Sequence, residues 1–192
     1  ANVVGISAGK TSMLAPEPES DTKLPVLPPL PHPEFTMEDG LQMTLFAENP
    51  LMQKPVGMNF DTSGRLWVAS SNTYPQVNPD DLAAQMEGNS SKFGPSTGND
   101  RIILLEDTNQ DGVAETSRVV ADKLLIPCGV APDDRGGCFV GASTELLLLT
   151  KPDAKGMLTD RRIVLSGFGT EDTHHILHGL HWGIDGRLYF QQ

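Results

Sequence analysis

Two stretches of the chain concentrate side chains able to do chemistry. In residues 172–190, DTHHILHGLHWGIDGRLYF, the residues His174, His175, His178 and His181 fall within eight positions and make up four of the five histidines. An imidazole is the side chain whose charge changes near neutral pH and a common metal ligand, so three readings of the cluster arise. As a metal centre, His174 and His178 stand at helical i, i+4 spacing with Glu171 nearby, but Gly179 and the strand pattern after it break such a helix, and no HExxH sequence is present. As a proton-transfer site, an imidazole of the cluster has the chemistry of a general base. As structure, His174 and His175 would bond loop carbonyls while His178 and His181 flank strand positions.

The second stretch is EDTNQDGVAE, residues 106–115. Asp107, Asn109, Asp111 and Gly112 reproduce positions one, three, five and six of a calcium loop, where alternate oxygens converge and a glycine allows the turn. Glu115 stands at position nine, but position twelve is Arg118 where a bidentate Glu would close the shell. The expected metal set is therefore Asp107, Asn109, Asp111 and Glu115, with modest affinity for calcium. The alternative is a polar hairpin turn that favours Asp, Asn and Gly for its own geometry.

The elements that position these groups read as strands. VGMNFDTSGRLWVAS, RIILLEDTNQDGVAETSRVV, VAPDDRGGCFVGAS, ELLLLTKPDAKGMLTDRRIVL and LHWGIDGRLYFQQ each form two apolar runs around a Gly, Asp or Asn turn, the pattern of a hairpin. LQMTLFA, residues 41–47, alternates Leu41, Met43 and Leu45 with polar residues and predicts a strand with one buried face. Arg101–Asp107 lies over Glu145–Lys151 at an offset of 44, and DGVAETSRVVADKL lies over KGMLTDRRIVLSGF at the same offset. In the second copy Lys151 and Lys155 replace the acids of the first, so that copy has lost the calcium pattern.

A repeat of this length with four strands per unit is the signature of a β-propeller blade. The fold class is thus all-β: a partial β-propeller over 41–192, of about two and a half four-stranded blades, with an extended Pro-rich segment before it. Residues 55–124 make one blade, 127–168 a second and 177–192 half of a third, while the strand at 41–47 stands alone. Propellers close with about four to eight blades, so edges would remain open here.

Residues 1–40 differ. Seven of the fifteen prolines lie between Pro16 and Pro33, which removes backbone donors and fixes φ, so the segment is expected to be an extended tether. A second irregular stretch, 75–99, interrupts the first blade, and its Asn78-Pro79-Asp80-Asp81 start predicts a short helix. This insertion is a partner-binding candidate.

Composition narrows the partners. A formal charge of -11 argues against nucleic acid, whose phosphates are bound by Lys and Arg. No run approaches the roughly 20 apolar residues of a membrane helix, and the first residues lack the regions of a signal peptide. In a hairpin turning near Asp134, Cys128 falls opposite Gly141 and Cys138 opposite Ala131, too far apart for a disulfide, so two free thiols are expected.

LFAENPLMQKPVGMNFDTSGRLWVASSNTYPQ, LLEDTNQDGVAE, LLIPCGVAPDDRGGCFVGASTELLLL and VLSGFGTEDTHHILHGLHWGIDGRLYF resemble the start of the propeller in membrane-bound dehydrogenases of planctomycetes and related bacteria, over about residues 41–192. Those proteins are similar to glucose and sorbosone dehydrogenases, which hold pyrroloquinoline quinone. The resemblance puts His175 where that group has its proton-abstracting histidine, with Ile176 and Leu177 in place of the group's Asn and Gly. Family members often continue into haem domains marked by CxxCH, a sequence not found here. Two functions follow as expectations. One is a non-catalytic structural or interaction subunit, derived from a propeller dehydrogenase, in a larger periplasmic or otherwise extracytoplasmic, membrane-bound complex, with electron transfer as one setting. The other is part of a quinone-dependent sugar or alcohol dehydrogenase with His175 as base.

Overall fold

The computed structural model describes residues 35–75, 100–169 and 172–192. The 1–34 part of the expected tether and the 76–99 part of the expected insertion, including its short helix, lie outside the described residues. Residues 35–40 are exposed throughout.

Ten strands follow in chain order: β1 Pro55–Phe60, β2 Leu66–Ser70, β3 Asp100–Glu106, β4 Thr116–Leu124, β5 Pro127–Pro132, β6 Cys138–Ala142, β7 Glu145–Pro152, β8 Leu158–Ser166, β9 His178–Trp182 and β10 Leu188–Gln191. A 3-10 turn, Thr173–His175, precedes β9. The chain is all-β, as the strand and turn pattern predicts. Consecutive strands pair antiparallel within two four-stranded sheets, β1-β2-β3-β4 and β5-β6-β7-β8, and one two-stranded sheet, β9-β10.

The two larger sheets repeat one another in register. Pro55 pairs with Ser70 and Gly57 with Ala69 across a bulge, and Pro127 pairs with Ala142 and Gly129 with Gly141 across the same bulge. The turns repeat as well. Asp61, Asp133 and Asp153 each accept, through Oδ1, the amides two and four positions on, at 2.8 to 3.0 Å. Such an Asx turn needs a residue with positive φ at its fourth position, which Gly64, Gly136 and Gly156 supply.

The sheets pack face to face. Trp67, Ile102, Leu104 and Val120 of the first sheet meet Val140, Leu147 and Leu149 of the second. The opposite face of the second sheet meets the third through Leu146, Phe139, Leu180 and Phe190. Strands β1, β5 and β9 lie side by side at the inner ends of the sheets. A Cβ on Gly57 would stand 2.7 Å from the Cys128 carbonyl oxygen, so the approach of β1 to β5 requires the glycine.

The segment 41–47 corrects an expectation: it is not a strand. Leu41 and Met43 are exposed, and burial falls instead on Ala47 and Met52, which lie with Phe46 and Leu51 across the outer face of the first sheet. A backbone bond, Ala114 N to Phe46 O at 3.0 Å, ties it as a covering loop to the connection between β3 and β4. Apolar contact with Leu66, Val68 and Leu105 outweighs the alternation of Leu41, Met43 and Leu45.

Both thiols are free, as expected. The register is one residue from the expected one, with Cys138 opposite Pro132 and Cys128 in the bulge between paired Pro127 and Gly129. Burial pushes the Cys128 thiol up to about 12, helped by the Asp100 charge, and pushes the Cys138 thiol higher still. Neither is a reactive thiolate near neutral pH.

Candidate functional site

Antiparallel pairing sends successive turns to alternate ends of the sheets. The turns at 61–65, 107–115, 133–137, 153–157 and 183–187 share one end, and the connections at 71–75, 125–126, 143–144, 167–169 and 172–177 share the other. The structure therefore places the acidic loop and His175 at opposite ends. It does not bring the two candidate chemistries together.

In the acidic loop, ligand oxygens of Asp107, Asp111 and Glu115 lie within 4.8 Å of one another. Among the described residues no other group of three His, Cys, Asp or Glu side chains converges this way. Asp107 holds the turn: its Oδ1 accepts the amides of Gln110 at 2.6 Å and Asp111 at 3.2 Å, and its Oδ2 accepts that of Gly112 at 2.8 Å. Asn109 does not join the acids as a free ligand. Its Oδ1 accepts the Asp111 amide at 2.9 Å and its Nδ2 donates to Asp111 Oδ2 at 3.1 Å. Glu115 Oε2 accepts both the amide and hydroxyl of Thr108, and these bonds, backbone first, hold its carboxyl below the usual range. Arg118 turns away to the Gly156 carbonyl at 3.3 Å. In the equivalent loop Lys151 pairs with Asp160 at 2.8 Å, so a cation fills the place of Asp107. Three converging carboxylates can hold a hard divalent ion, with oxygens that the turn already uses in part.

The four histidines separate into two pairs with different partners. The expectation that His174 and His175 bond loop carbonyls is corrected: both imidazoles face Asp172. Asp172 Oδ1 accepts the His174 amide at 2.9 Å and lies 2.8 Å from His174 Nδ1, and these contacts lower the Asp172 carboxyl. His175 Nε2 stands 3.6 Å from Asp172 Oδ2, with three quarters of its side chain exposed. Local geometry explains this, since Asp172 caps the 3-10 turn and the side chains two and three positions on face it. His178 and His181, on β9 as expected, are the ones that bond carbonyls: Nδ1 of each reaches the carbonyl two residues back, Ile176 O at 2.7 Å and Gly179 O at 2.9 Å. A carbonyl only accepts, so Nδ1 carries the proton in both rings and Nε2 of the neutral ring is an acceptor.

At the His175 end lies a group that residue spacing gave no reason to single out. Asp100 is fully buried. Its Oδ1 accepts the amides of Asn72 and Thr73 at 2.7 and 3.1 Å, and its Oδ2 accepts the Ser71 hydroxyl and the Ile126 amide, both at 2.9 Å. The carboxylate thus joins the exit of β2, the start of β3 and the entry to β5. The only hint in the sequence is that Asp100 takes the place of Thr144 at the repeat offset.

At the other end, the tips of β1, β5 and β9 enclose a cleft of about 300 Å³ lined by residues 59–62, 132–134, His181 and Trp182. Asp61 fixes one wall, accepting from Arg65 Nε at 2.7 Å and Trp67 Nε1 at 2.9 Å. Burial raises the Asp61 carboxyl, but the bonds from Trp67 and Arg65 outweigh it and leave the group below its usual value.

Repeating antiparallel sheets stacked face to face, with turns in register, define an all-β repeat protein. Residues 30–192 match the family described as a domain of unknown function (DUF7133), and the chain belongs to that family. No curated protein and no solved structure matches it.

Proposed function

We propose that this chain is a non-catalytic interaction module, built as a partial β-propeller of two and a half blades, that works as a subunit of a larger extracytoplasmic, membrane-bound assembly. One internal comparison carries the reading. In the first sheet Ile102 pairs with Ala121, and both are buried under the second sheet. At the repeat offset, Leu146 pairs with Leu165 in the second sheet, yet Leu165 is 46% exposed. The difference arises because the third sheet has two strands among the described residues, so nothing there reaches across β8. Leu165 and Val164 thus continue the apolar face that Leu146, Phe139 and Phe190 bury, beside the outer edge of β10. A strand or hairpin pairing with β10 would cover that face, which is the physical form of β-strand addition. The resemblance to membrane-bound dehydrogenases supports the extracytoplasmic setting.

The test is the hydrodynamic state of the purified chain. Light scattering is expected to show concentration-dependent association, and a partner recovered from the native assembly should protect the β10 amides from exchange. A monodisperse monomer with one cooperative unfolding transition and protected β10 amides overturns the reading.

The alternative, a quinone-dependent dehydrogenase with His175 as base, is favoured by the carboxylate of Asp172 beside the ring, since an acid often orients a catalytic imidazole. Dye-coupled turnover with pyrroloquinoline quinone that disappears in His175→Ala would establish it.

A further inference from the structure

The cleft at the tips of β1, β5 and β9 has an unusual polarity of hydrogen bonding. Its side chains own four N–H donors, and three of them are consumed by backbone carbonyls: Asn59 Nδ2 bonds Leu180 O at 3.2 Å, Trp182 Nε1 bonds Pro132 O at 2.6 Å and His181 Nδ1 bonds Gly179 O at 2.9 Å. Because each partner only accepts, these orientations are fixed, and beside the second Asn59 N–H the atoms left over are two acceptors, Asn59 Oδ1 and His181 Nε2. Asp133 uses Oδ1 for its turn, and Asp134 stands exposed beside it. Among the described residues no Lys or Arg lines the cleft. Its walls carry two large, partly exposed rings, Phe60 at 57% and Trp182 at 42% exposure.

A concave site of acceptors, carboxylates and aromatic faces selects a ligand that is cationic, rich in donors and flat. A guanidinium meets all three conditions, since it has five N–H donors and no acceptor and stacks on aromatic rings. An ammonium has fewer donors and no planar face. We propose that this cleft binds an alkylguanidinium group, with Asp134 and Asp133 supplying the counter-charge, Asn59 Oδ1 and His181 Nε2 accepting its remaining hydrogens, and Trp182 or Phe60 covering its plane. The chemistry is shared by two sources, an arginine side chain presented by a protein partner and a free guanidinium compound. The inference stands independently of the β10 edge.

The experiment is a titration of the full chain with N-ethylguanidinium, followed by amide and indole resonances, with ethylammonium as comparison. Saturable shifts at residues 59–62, 132–134 and the Trp182 indole are expected, weaker by about tenfold or more for ethylammonium and for Asp134→Asn, as loss of a charge-assisted bond implies. Asp134 has an exposed side chain outside the turn's bonding, so the variant should keep the spectrum of the folded chain; Trp182→Leu gives an independent loss through the ring. Acetyl-arginine-amide binding where free arginine, with its own carboxylate, does not would assign the site to a partner's side chain, and equal binding would assign it to a small molecule. Absent shifts, or shifts spread over the acidic surface and unchanged in both variants, overturn the proposal.

Discussion

The Asp100 carboxylate accepts the Ile126 amide at 2.9 Å, joining the start of β3 to the connection between the two larger sheets. With Ser71, Asn72 and Thr73 it satisfies four donors at once. Removing the acceptor would leave the Ser71 hydroxyl and the Ile126 amide buried and unpaired, which costs far more than a surface bond contributes. Asp100→Ala is expected to lose about 3 to 5 kcal/mol in urea unfolding, and Asp100→Asn about 2 kcal/mol, because the amide keeps one acceptor and turns a donor toward donors. A loss under about 1 kcal/mol in both would show that water replaces the carboxylate.

Asp61 should mark the acid limb of stability. Its folded carboxyl lies below the ordinary 3.8, through its bonds to Trp67 and Arg65 outweighing burial. A group with a depressed folded value binds fewer protons folded than unfolded, so its stabilisation is complete above the unfolded value and is lost as pH falls through the folded one. Wild type should therefore lose stability more steeply below about pH 4 than Asp61→Asn, with the two profiles parallel near neutrality. Identical slopes in the acid range would remove Asp61 from this role.

Calcium tests the acidic loop. If Asp107, Asp111 and Glu115 hold the ion with a Kd of about 1 mM, addition of about 10 mM calcium stabilises by about 1.4 kcal/mol and raises the Tm by about 3 to 5 °C. Asp111→Ala should abolish the rise. Unchanged melting, with no heat in millimolar titration, would leave the loop a hydrogen-bonded turn.

Much of the fold is legible in the residues because hairpins are local. Asp61, Asp133 and Asp153 each signal their turn within five positions, and the offset of 44 aligns whole strands of two sheets. The segment 41–47 misleads because alternation reports an amphipathic surface but not which neighbour is present, and contact through Phe46 and Met52 decides its path. The spacing of Asp107, Asp111 and Glu115 does survive as proximity. The histidine partners were not legible, since Asp172 capping a short turn determines where His174 and His175 face. The network of Asp100 and the cleft of Asn59, Asp134 and Trp182 join residues far apart in sequence, and no local pattern encodes them.

The side-by-side packing of β1, β5 and β9 makes a last, graded prediction. At Gly57 an added methyl would meet the Cys128 carbonyl oxygen at 2.7 Å and the Gly129 Cα at 3.2 Å, all backbone of the adjacent strand. At Gly129, the equivalent position of β5, the first obstacle at 2.7 Å is Leu180 Cδ1, the end of a flexible side chain, with backbone no nearer than 3.4 Å. Backbone cannot retreat without moving a sheet, whereas a leucine can change rotamer at modest cost. Gly57→Ala is expected to destabilise by about 3 kcal/mol and Gly129→Ala by about 1 kcal/mol. Restoring part of the Gly129→Ala loss with Leu180→Val would confirm the contact. Equal, small effects at both glycines would mean that the inner strands stand farther apart than this packing requires.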